Sequence, residues 1–415
     1  MVTTLSPDRL AELQDADEEF VLVDTRSKES YESWHVKGAV HVPFGPEEDL
    51  ESDGQLDALE ELVGDADRVI TICGKGLSSG NLATQLESAT DEFEVQAVDG
   101  GMEAWSGVYD HVTIDVGEGV TVVQLQRRAK GCLGYVVGCA ETGEAVVVDP
   151  TADTEECRIA AGEHGLRVVG VIDTHVHADH VSGGRELATD LDVPYYLGER
   201  AAERDLAYEY VSLGRNEVLE VGDLDVKALY TPGHTSESIS VLVDDQALLT
   251  ADTLHADSTG RTELEFGEES EAQRASEDVS SAERSFADDR AATPRDSGET
   301  ANGGERGARL LYESLHRTLL AEPEGIVVLP GHVSVSADGE FGTAAPGEPI
   351  STTVGEARTG IDVLELEKDA FVERLGDAGE KPANYEAIID LNRGVREEPP
   401  EARTELEMGP NNCSA

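Results

Sequence analysis

Short apolar runs alternate with polar stretches of helical spacing through the first quarter of the chain. The runs at 20–23, 39–42 and 68–72 consist mainly of aliphatic residues, and polar segments separate them. Strands that alternate with helices in this way predict a parallel α/β sheet. We therefore expect a first α/β domain over residues 1–112.

A second series of apolar runs begins near residue 120. Strands are predicted at 120–125, 134–137, 145–149, 168–173, 226–230, 239–243, 247–250 and 325–329, with helical stretches such as 155–164 between them. We assign residues 115–335 to a second domain. Residues 336–415 are interpreted as a C-terminal extension of that domain, ending in a loose tail from residue 397.

The segment 267–308 interrupts the second series. Its 42 residues include 11 Asp or Glu and 5 Arg, and its large apolar residues are only Val279 and Phe286. Such a segment cannot bury enough apolar area to offset the entropy lost on ordering. We expect a disordered acidic insertion on the surface of the second domain.

The charge balance limits the possible partners. Acidic residues outnumber basic ones 87 to 31, which gives a formal net charge of -56. Nucleic acids and anionic membranes are bound through clusters of Lys and Arg, and the sequence contains no such run, so both are excluded as partners. Because so large a charge destabilises a compact state unless salt screens it, we interpret the chain as halophilic.

Export and membrane insertion are not indicated. No stretch approaches the roughly 18 apolar residues that span a membrane, and the first 14 residues lack the basic-then-apolar order of a signal peptide. Five cysteines, an odd number without a C-x-x-C pair, favour free thiols in a reducing compartment. We expect a cytoplasmic protein.

The densest group of potential metal ligands directly follows the apolar run at 168–172. Three imidazoles and one carboxylate stand within six residues, at His175, His177, Asp179 and His180. Packing in a core would leave such polar groups unsatisfied, so metal binding explains them better. Three later runs end in groups of the same kind, at His234, Asp252 and His332. Since loops at strand ends lie along one edge of a sheet, these side chains can meet.

The order of these ligands resembles the metallo-β-lactamase fold, whose H-x-H-x-D-H motif, later His, Asp and final His recur over residues 120–333. The resemblance implies an αββα sandwich with two metal positions. One would be held by His175, His177 and His234 and the other by Asp179, His180 and His332, with Asp252 between them.

One branch of that family, the persulfide dioxygenases, holds a single Fe(II) by two His and one Asp. The resemblance implies that the iron ligands here are His175, His234 and Asp252. Imidazole and carboxylate ligands suit zinc as well as iron. We favour Fe(II), keep zinc as the alternative, and expect none of the five cysteines to be a ligand.

A short stretch after Asp252, Gly260-Arg261-Thr262-Glu263, resembles the Gly-Arg-Thr-Asp stretch of the persulfide dioxygenases, with Glu263 in place of the family's Asp. The resemblance implies that Arg261 orients the substrate near the active site. An ordinary solvated loop arginine is the alternative.

Cys73 follows the apolar run at 68–72 and opens a Gly-rich loop that leads into a helical stretch. Backbone N–H groups, a helix N-terminus and Lys75 would favour the thiolate. With the motifs at 22–26, 34–43 and 99–105, this loop resembles a rhodanese domain, which implies a catalytic Cys73 that carries sulfane sulfur as a persulfide. Ser78 stands where many of these domains have Arg, so we expect thiosulfate to be a poor donor.

Together the resemblances imply a sulfur-metabolism enzyme with a sulfurtransferase domain. It would oxidise a low-molecular-weight thiol persulfide to sulfite at a mononuclear non-haem iron. A zinc-dependent thioester hydrolase similar to glyoxalase II is the main alternative, because the second set of ligands is complete. A third is a non-catalytic sulfur carrier with a structural metal, and no oligomeric state is predicted.

Overall fold

The computed structural model describes residues 3–50, 55–262, 303–376, 381 and 384–409. The first domain contains the strands β1 (Thr3–Leu5), β2 (Val21–Asp24), β3 (Ala39–His41), β4 (Arg68–Ile72) and β5 (Glu94–Val98). Its helices are α1 (Pro7–Asp15), α2 (Lys28–Ser33), α3 (Gln55–Val63), α4 (Leu77–Ala89) and α5 (Gly101–Trp105). The strands form a parallel sheet in the order β1-β5-β4-β2-β3, which confirms the predicted α/β fold.

The second domain has two sheets. The first contains β6 (Tyr109–Ile114), β7 (Val120–Arg127), β8 (Leu133–Cys139), β9 (Glu144–Val148), β10 (Arg167–Ile172), β11 (Tyr195–Gly198) and β12 (Val211–Leu213), paired in reverse order from β12 to β6. The second contains β13 (Val218–Val221), β14 (Leu224–Tyr230), β15 (Ile239–Val243), β16 (Ala247–Ala251), β17 (Val327–Pro330) and β18 (Thr352–Thr353), paired in chain order.

Helices follow in chain order, and the first five of them cover the outer faces of the sheets. They are α6 (Thr154–Glu163), α7 (Gly184–Leu191), α8 (Gly303–Ser314), α9 (Val354–Gly360), α10 (Lys368–Leu375), α11 (Tyr385–Asn392) and α12 (Pro400–Leu406). One apolar cluster, including Val137 and Val241, fills the space between the sheets. Two others join α6 and α7 to the first sheet and α8, α9 and α10 to the second. These four layers confirm the expected αββα sandwich.

The expected boundary between the domains, at residues 112–115, falls on β6. This strand pairs antiparallel with β7 through six residue pairs, from Tyr109 with Arg127 to Ile114 with Val122. The first domain therefore ends before Tyr109. The sequence pattern did not separate β6 from the preceding domain because the strand is only partly buried and has no long apolar run.

The end of the expected insertion also differs from the prediction. Residues 263–302 lie outside the described part of the chain, but residues 303–308 form the first turns of α8. Gly304, Gly307 and Ala308 are buried there, and Ala308 continues the apolar stripe of Leu311 and Leu315 at helical spacing. Because these residues are small, the sequence showed no apolar pattern here. In the structure, their small size lets the helix pack closely against the second sheet.

The expectation of a loose tail from residue 397 is wrong over residues 400–409. Residues 400–406 form α12, and the Glu407 carboxylate is buried: it accepts a hydrogen bond from Val181 N at 2.5 Å and lies 3.4 Å from Arg127 Nη1. The Glu407 carbonyl accepts a bond from Lys130 Nζ at 2.9 Å. A buried ion pair, rather than apolar packing visible in the sequence, orders this segment.

The same segment also contacts the first domain. On α12, Glu405 Oε1 lies 2.7 Å from Nζ of Lys75, in the loop that follows Cys73. Just beyond, Met408 packs against the apolar cluster of the first domain. We call residues 400–409 the C-terminal strap, because they join the two domains. No helix in the described ranges is long and apolar enough to cross a membrane.

Replacing Glu407 by Ala should lower the free energy of unfolding by about 3 kcal/mol, because Arg127 would stay buried with its charge uncompensated. Denaturant unfolding in high salt measures this loss. Glu401→Ala is the matched control, since it removes the same charge from an exposed position of α12. Equal unfolding curves for the two variants would show that Glu407 does not anchor the C-terminal strap.

Candidate metal centre

The structure brings the seven predicted metal ligands together at one end of the sandwich, where four strands end. The loop after β10 supplies His175, His177, Asp179 and His180, and the segments after β14, β16 and β17 supply His234, Asp252 and His332. Each of the seven is at most 4% exposed. Chain segments up to 157 residues apart therefore contribute to one buried polar cluster.

His175, His234 and Asp252 form one group of donors. The Asp252 Oδ2 atom lies 3.3 Å from His234 Nε2 and 3.8 Å from His175 Nε2. None of these three atoms has a hydrogen-bond partner among the described residues, and all are buried. Two imidazoles and one carboxylate aimed at one point fit a divalent metal ion such as Fe(II) or zinc.

Hydrogen bonds at the opposite edge of each ring fix which nitrogen faces this point. His234 Nδ1 lies 2.8 Å from the carbonyl oxygen of Arg261. Because a carbonyl oxygen can only accept, Nδ1 is the donor. His175 Nδ1 lies 2.9 Å from Thr174 Oγ1, whose own hydroxyl donates to Asp149 Oδ2 at 2.8 Å. Both rings therefore carry hydrogen on Nδ1 and present the Nε2 lone pair, as metal-binding histidines do.

Burial sets the charge states of the group. Burial, together with the neighbouring imidazoles of His177 and His234, holds the pKa of His175 well below its usual value. Burial likewise lowers the pKa of His234. For Asp252, burial opposes ionisation, but contacts with His332, His255 and His234 hold its pKa well below the ordinary range. Two neutral imidazoles and one carboxylate are the protonation states that metal binding needs.

His177, the third histidine expected at the first metal position, lies next to His175. Its Nε2 atom faces Asp149 Oδ1 at 3.1 Å, and its Nδ1 has no hydrogen-bond partner in the described ranges. Its ring still lies 4.2 Å from that of His175. Asp149 adopts a left-handed backbone conformation (φ 50°), which is uncommon for a residue other than Gly, and its carboxylate also accepts hydrogen bonds from the backbone N–H and the hydroxyl of Thr174.

The second group has a cysteine beside the three expected donors, Asp179, His180 and His332. Cys132 Sγ, Asp179, His180 and His332 offer donor atoms that all lie within 4.8 Å of one another. His255 is a further residue of the cluster that the sequence did not predict, and its Nε2 lies 3.5 Å from Asp252 Oδ1. Sequence reasoning missed Cys132 because it precedes β8, more than 40 residues before the histidine motif.

Residues outside the donor groups hold the histidine loop in place. The buried Glu237 carboxylate pairs with Arg204 at 2.6 Å and accepts a bond from Val176 N at 2.9 Å. Asn392, at the end of α11, donates to the carbonyls of His177 and His180 at 2.9 and 2.7 Å. Glu237 and Asn392 therefore hold the loop from His175 to His180 at two points. Such contacts with distant residues are not visible in the sequence pattern.

Arg261 lies beside the first donor group and is 8% exposed. Its backbone carbonyl accepts the hydrogen bond from His234 Nδ1 and so orients that ring. Glu263 lies outside the described residues. The preceding Gly260 is required for this approach, because a Cβ atom there would lie 1.7 Å from the Asp252 carbonyl oxygen and 3.3 Å from His234 Nδ1.

Cys73 lies in the first domain at the end of β4 and is buried. Burial opposes ionisation of this thiol, but hydrogen bonds from the Ser78 and Ser79 side chains and from backbone N–H groups lower its pKa. The Ser79 hydroxyl donates to Sγ at 3.2 Å. Ser78 Oγ, at the position where an Arg is common, lies 2.9 Å from Thr25 Oγ1. The loop therefore favours a thiolate without a direct cation.

Comparison with known families places both domains. Residues 6–107 match the rhodanese-like domain, and residues 127–332 match the metallo-β-lactamase superfamily. The chain is therefore a rhodanese domain followed by a metallo-β-lactamase domain, and its second domain belongs to the metallo-β-lactamase superfamily. The fold alone is also shared with the crystal structure of a metallo-β-lactamase from Staphylococcus aureus, at a TM-score of 0.53 and 23% identity over 66% of this chain and 74% of that one.

Two curated relatives match the second domain. A hydroxyacylglutathione hydrolase of Rhodopseudomonas palustris is 34% identical over 133 residues, 31% of this chain and 50% of that protein. The mitochondrial persulfide dioxygenase ETHE1 of Mus musculus is 29% identical over 138 residues, 32% of this chain and 52% of that protein. The chain thus spans about half the length of each.

Replacing Gly260 by Ala should abolish metal binding while the sandwich stays folded. The added methyl group would displace the backbone at Asp252 and so move a donor of the first group. The metal content per chain tests the first expectation, and circular dichroism tests whether the protein is still folded. Gly162→Ala in α6 is the control, since nothing lies within 4 Å of its Cβ position. Normal metal content in Gly260→Ala would contradict the assignment.

Proposed function

We propose that this protein is an iron-dependent persulfide dioxygenase that oxidises a low-molecular-weight thiol persulfide to sulfite. The observation that carries the proposal is the group formed by His175 Nε2, His234 Nε2 and Asp252 Oδ2. Two imidazoles and one carboxylate on one side of a metal ion are the ligand set of non-haem Fe(II) oxygenases, which leaves positions open for substrate and oxygen. Similarity to a persulfide dioxygenase supports it.

The reaction balances without a further reductant. One persulfide, RSSH, reacts with one dioxygen and one water to give one thiol, RSH, one sulfite and two protons. The terminal sulfur loses four electrons and dioxygen gains four, while the S–S bond breaks and the thiol leaves. A bound Fe(II) would supply dioxygen activation and a position for the sulfur.

The residues of this chain prepare that site. Thr174 and the Arg261 carbonyl hold the His175 and His234 rings, so both donors are set before the substrate enters. The site is buried, which limits water around a reactive sulfur. We propose that the Arg261 guanidinium binds the negatively charged end of the substrate, since the Arg261 backbone lies beside the first donor group, with its carbonyl 2.8 Å from His234 Nδ1.

The first domain would hold the sulfane sulfur before its oxidation. We propose that Cys73 carries sulfane sulfur as a persulfide, supported by its lowered pKa and by the hydrogen bond from Ser79. Joining the two domains in one chain raises the effective concentration of the shared intermediate. We propose that this occurs in a high-salt cytoplasm, where the large negative charge is screened.

A zinc-dependent thioester hydrolase is the second candidate. The second donor group and the similarity to hydroxyacylglutathione hydrolase favour it. Zinc would lower the pKa of a bound water towards about 7 and so provide a nucleophile at neutral pH. Cys132 lies in the second donor group and argues against the use of that group for hydrolysis.

Anaerobically purified protein should contain close to one iron per chain and should consume oxygen while it releases sulfite from a small-molecule persulfide. His234→Ala should lose this activity, at least a hundredfold, because one of three protein ligands is removed. An oxygen electrode and sulfite assay measure it. His164→Ala, at the surface end of α6, is the control. Zinc content with thioester hydrolysis and no oxygen uptake would favour the second candidate instead.

Cys73→Ser should abolish sulfur transfer to an acceptor thiol. Mass spectrometry of the wild type after exposure to persulfide should show one added sulfur, about 32 Da, on Cys73, whose pKa is lowered and whose loop includes the exposed Lys75. Cys157→Ser is the control, because burial raises the pKa of that thiol to about 12. A label on Cys157 or Cys139 with none on Cys73 would contradict the carrier role.

A further inference from the structure

The outer helix α8 contacts the chain on one side of His234. A Cβ atom at Gly233 would stand 2.4 Å from both Cα and N of Leu311 on α8, and the φ of Gly233, +146°, is one that only Gly adopts readily. Further along α8, the hydroxyl of the fully buried Ser314 donates to the Pro232 carbonyl at 2.6 Å. The two residues that precede His234 are therefore held against α8.

The beginning of α8 is joined to the chain on the other side of the same ring. His234 Nδ1 donates to the carbonyl of Arg261, and the next residue, Thr262, is fully buried. Thr262 Oγ1 donates to the Gly304 carbonyl at 3.1 Å, in the first turn of α8, and to the Leu375 carbonyl at 3.0 Å, at the end of α10. A carbonyl at the C-terminus of a helix has no donor within that helix, so the Thr262 hydroxyl supplies one for Leu375.

The two hydroxyls therefore act on one side chain from opposite sides. Ser314 fixes the backbone that leads into His234, and Thr262 fixes the peptide whose carbonyl accepts from the ring. The other ring nitrogen, Nε2, is buried and has no hydrogen-bond partner among the described residues, so its direction depends on these supports. Both supports are themselves firmly placed, because α8 and α10 share one apolar cluster with the second sheet.

We propose that Thr262 and Ser314 are positioning residues, which aim His234 Nε2 at the first donor group by attaching its backbone and its hydrogen-bond acceptor to α8. Neither residue is a metal donor, and each acts through another residue. Hydrogen-bonding partners of this kind fix the orientation and the tautomer of a metal-binding histidine, and their loss weakens metal binding. The inference goes beyond the proposed function, because it applies to Fe(II) and to zinc alike.

Thr259 offers a matched control in the same loop. It is fully buried, as Thr262 is, but its hydroxyl has no hydrogen-bond partner in the part of the chain that the structure describes. Val has nearly the shape of Thr and lacks the hydroxyl. Only Thr262→Val therefore breaks a hydrogen bond, whereas Thr259→Val makes the same chemical change without breaking one.

The first experiment titrates the full metal-free chain with Co²⁺, whose visible absorption depends on the geometry of its ligands. Thr262→Val and Ser314→Ala should each bind the tightest equivalent about tenfold more weakly than the wild type and alter the absorption band. Thr262→Ser, which keeps the hydroxyl, should restore both properties, and Thr259→Val should match the wild type. Circular dichroism of the metal-free variants checks that they are folded.

The second experiment observes the ring itself in metal-free protein labelled with ¹⁵N at histidine. The resonances of His234 are identified by their loss in His234→Gln. The wild type should show one tautomer, with hydrogen on Nδ1, and Thr262→Val and Ser314→Ala should each show a mixture of two. Because no metal is present, this measurement reports the orientation of the ring and not the metal that it binds.

Wild-type Co²⁺ affinity and a single tautomer in both Thr262→Val and Ser314→Ala would overturn the proposal. An equal loss of affinity in Thr259→Val would do the same, and so would two tautomers in the wild type, which needs no variant to fold. If Thr262→Val does not fold, Ser314→Ala carries the test, since it removes the other hydroxyl. Oxygen uptake is not among these measurements, so failure of the proposed function leaves their outcome unchanged.

Discussion

Burial of the Asp252 carboxylate is the constraint on which the rest of the site depends. Four imidazoles surround it, with ring nitrogens at 2.5 Å (His332), 3.3 Å (His234), 3.5 Å (His255) and 3.8 Å (His175). Removing a carboxylate from water costs several kcal/mol unless partners compensate for it. Because those partners come from separate strand ends, the whole sandwich must be correctly packed before the carboxylate is stabilised. The strained backbone of Ala251, with φ 46°, is a further cost that this packing offsets.

The C-terminal strap extends this constraint to the first domain. Glu407 fixes Val181, directly after the histidine motif, while Glu405 contacts Lys75 beside Cys73. Asn392 holds the carbonyls on the other side of the same loop. The C-terminal strap therefore contacts both the loop of Cys73 and the loop of the histidine motif, so the separation of the Cys73 thiol and the metal donors is set by the fold rather than by a free linker.

The sequence predicted what depends on local pattern and on strand ends. The alternating apolar runs indicated the strands of the sheets, and the donors His175, His234 and Asp252 could be located because each follows such a run. Contacts between segments that are far apart in the chain could not be predicted from the sequence. Cys132 meets His332 across 200 residues, and Glu407 meets Val181 across 226. Polarity alone made residues 303–308 and 400–409 look unstructured, because pairing of buried charges and close packing of glycines leave no apolar pattern.

The charges around Cys73 bear on which sulfur donor can approach it. Lys75 lies 2.7 Å from the Glu405 carboxylate and 3.3 Å from that of Glu103, so its positive charge is already compensated by two acidic groups. Ser78 supplies hydrogen bonding but no charge. A doubly charged anion such as thiosulfate would therefore meet a net negative surface, whereas a persulfide with one charge or none would meet a weaker barrier. Salt screens the long-range part of this repulsion, but it acts least on charges in direct contact at the loop, so the preference is expected to persist at high ionic strength.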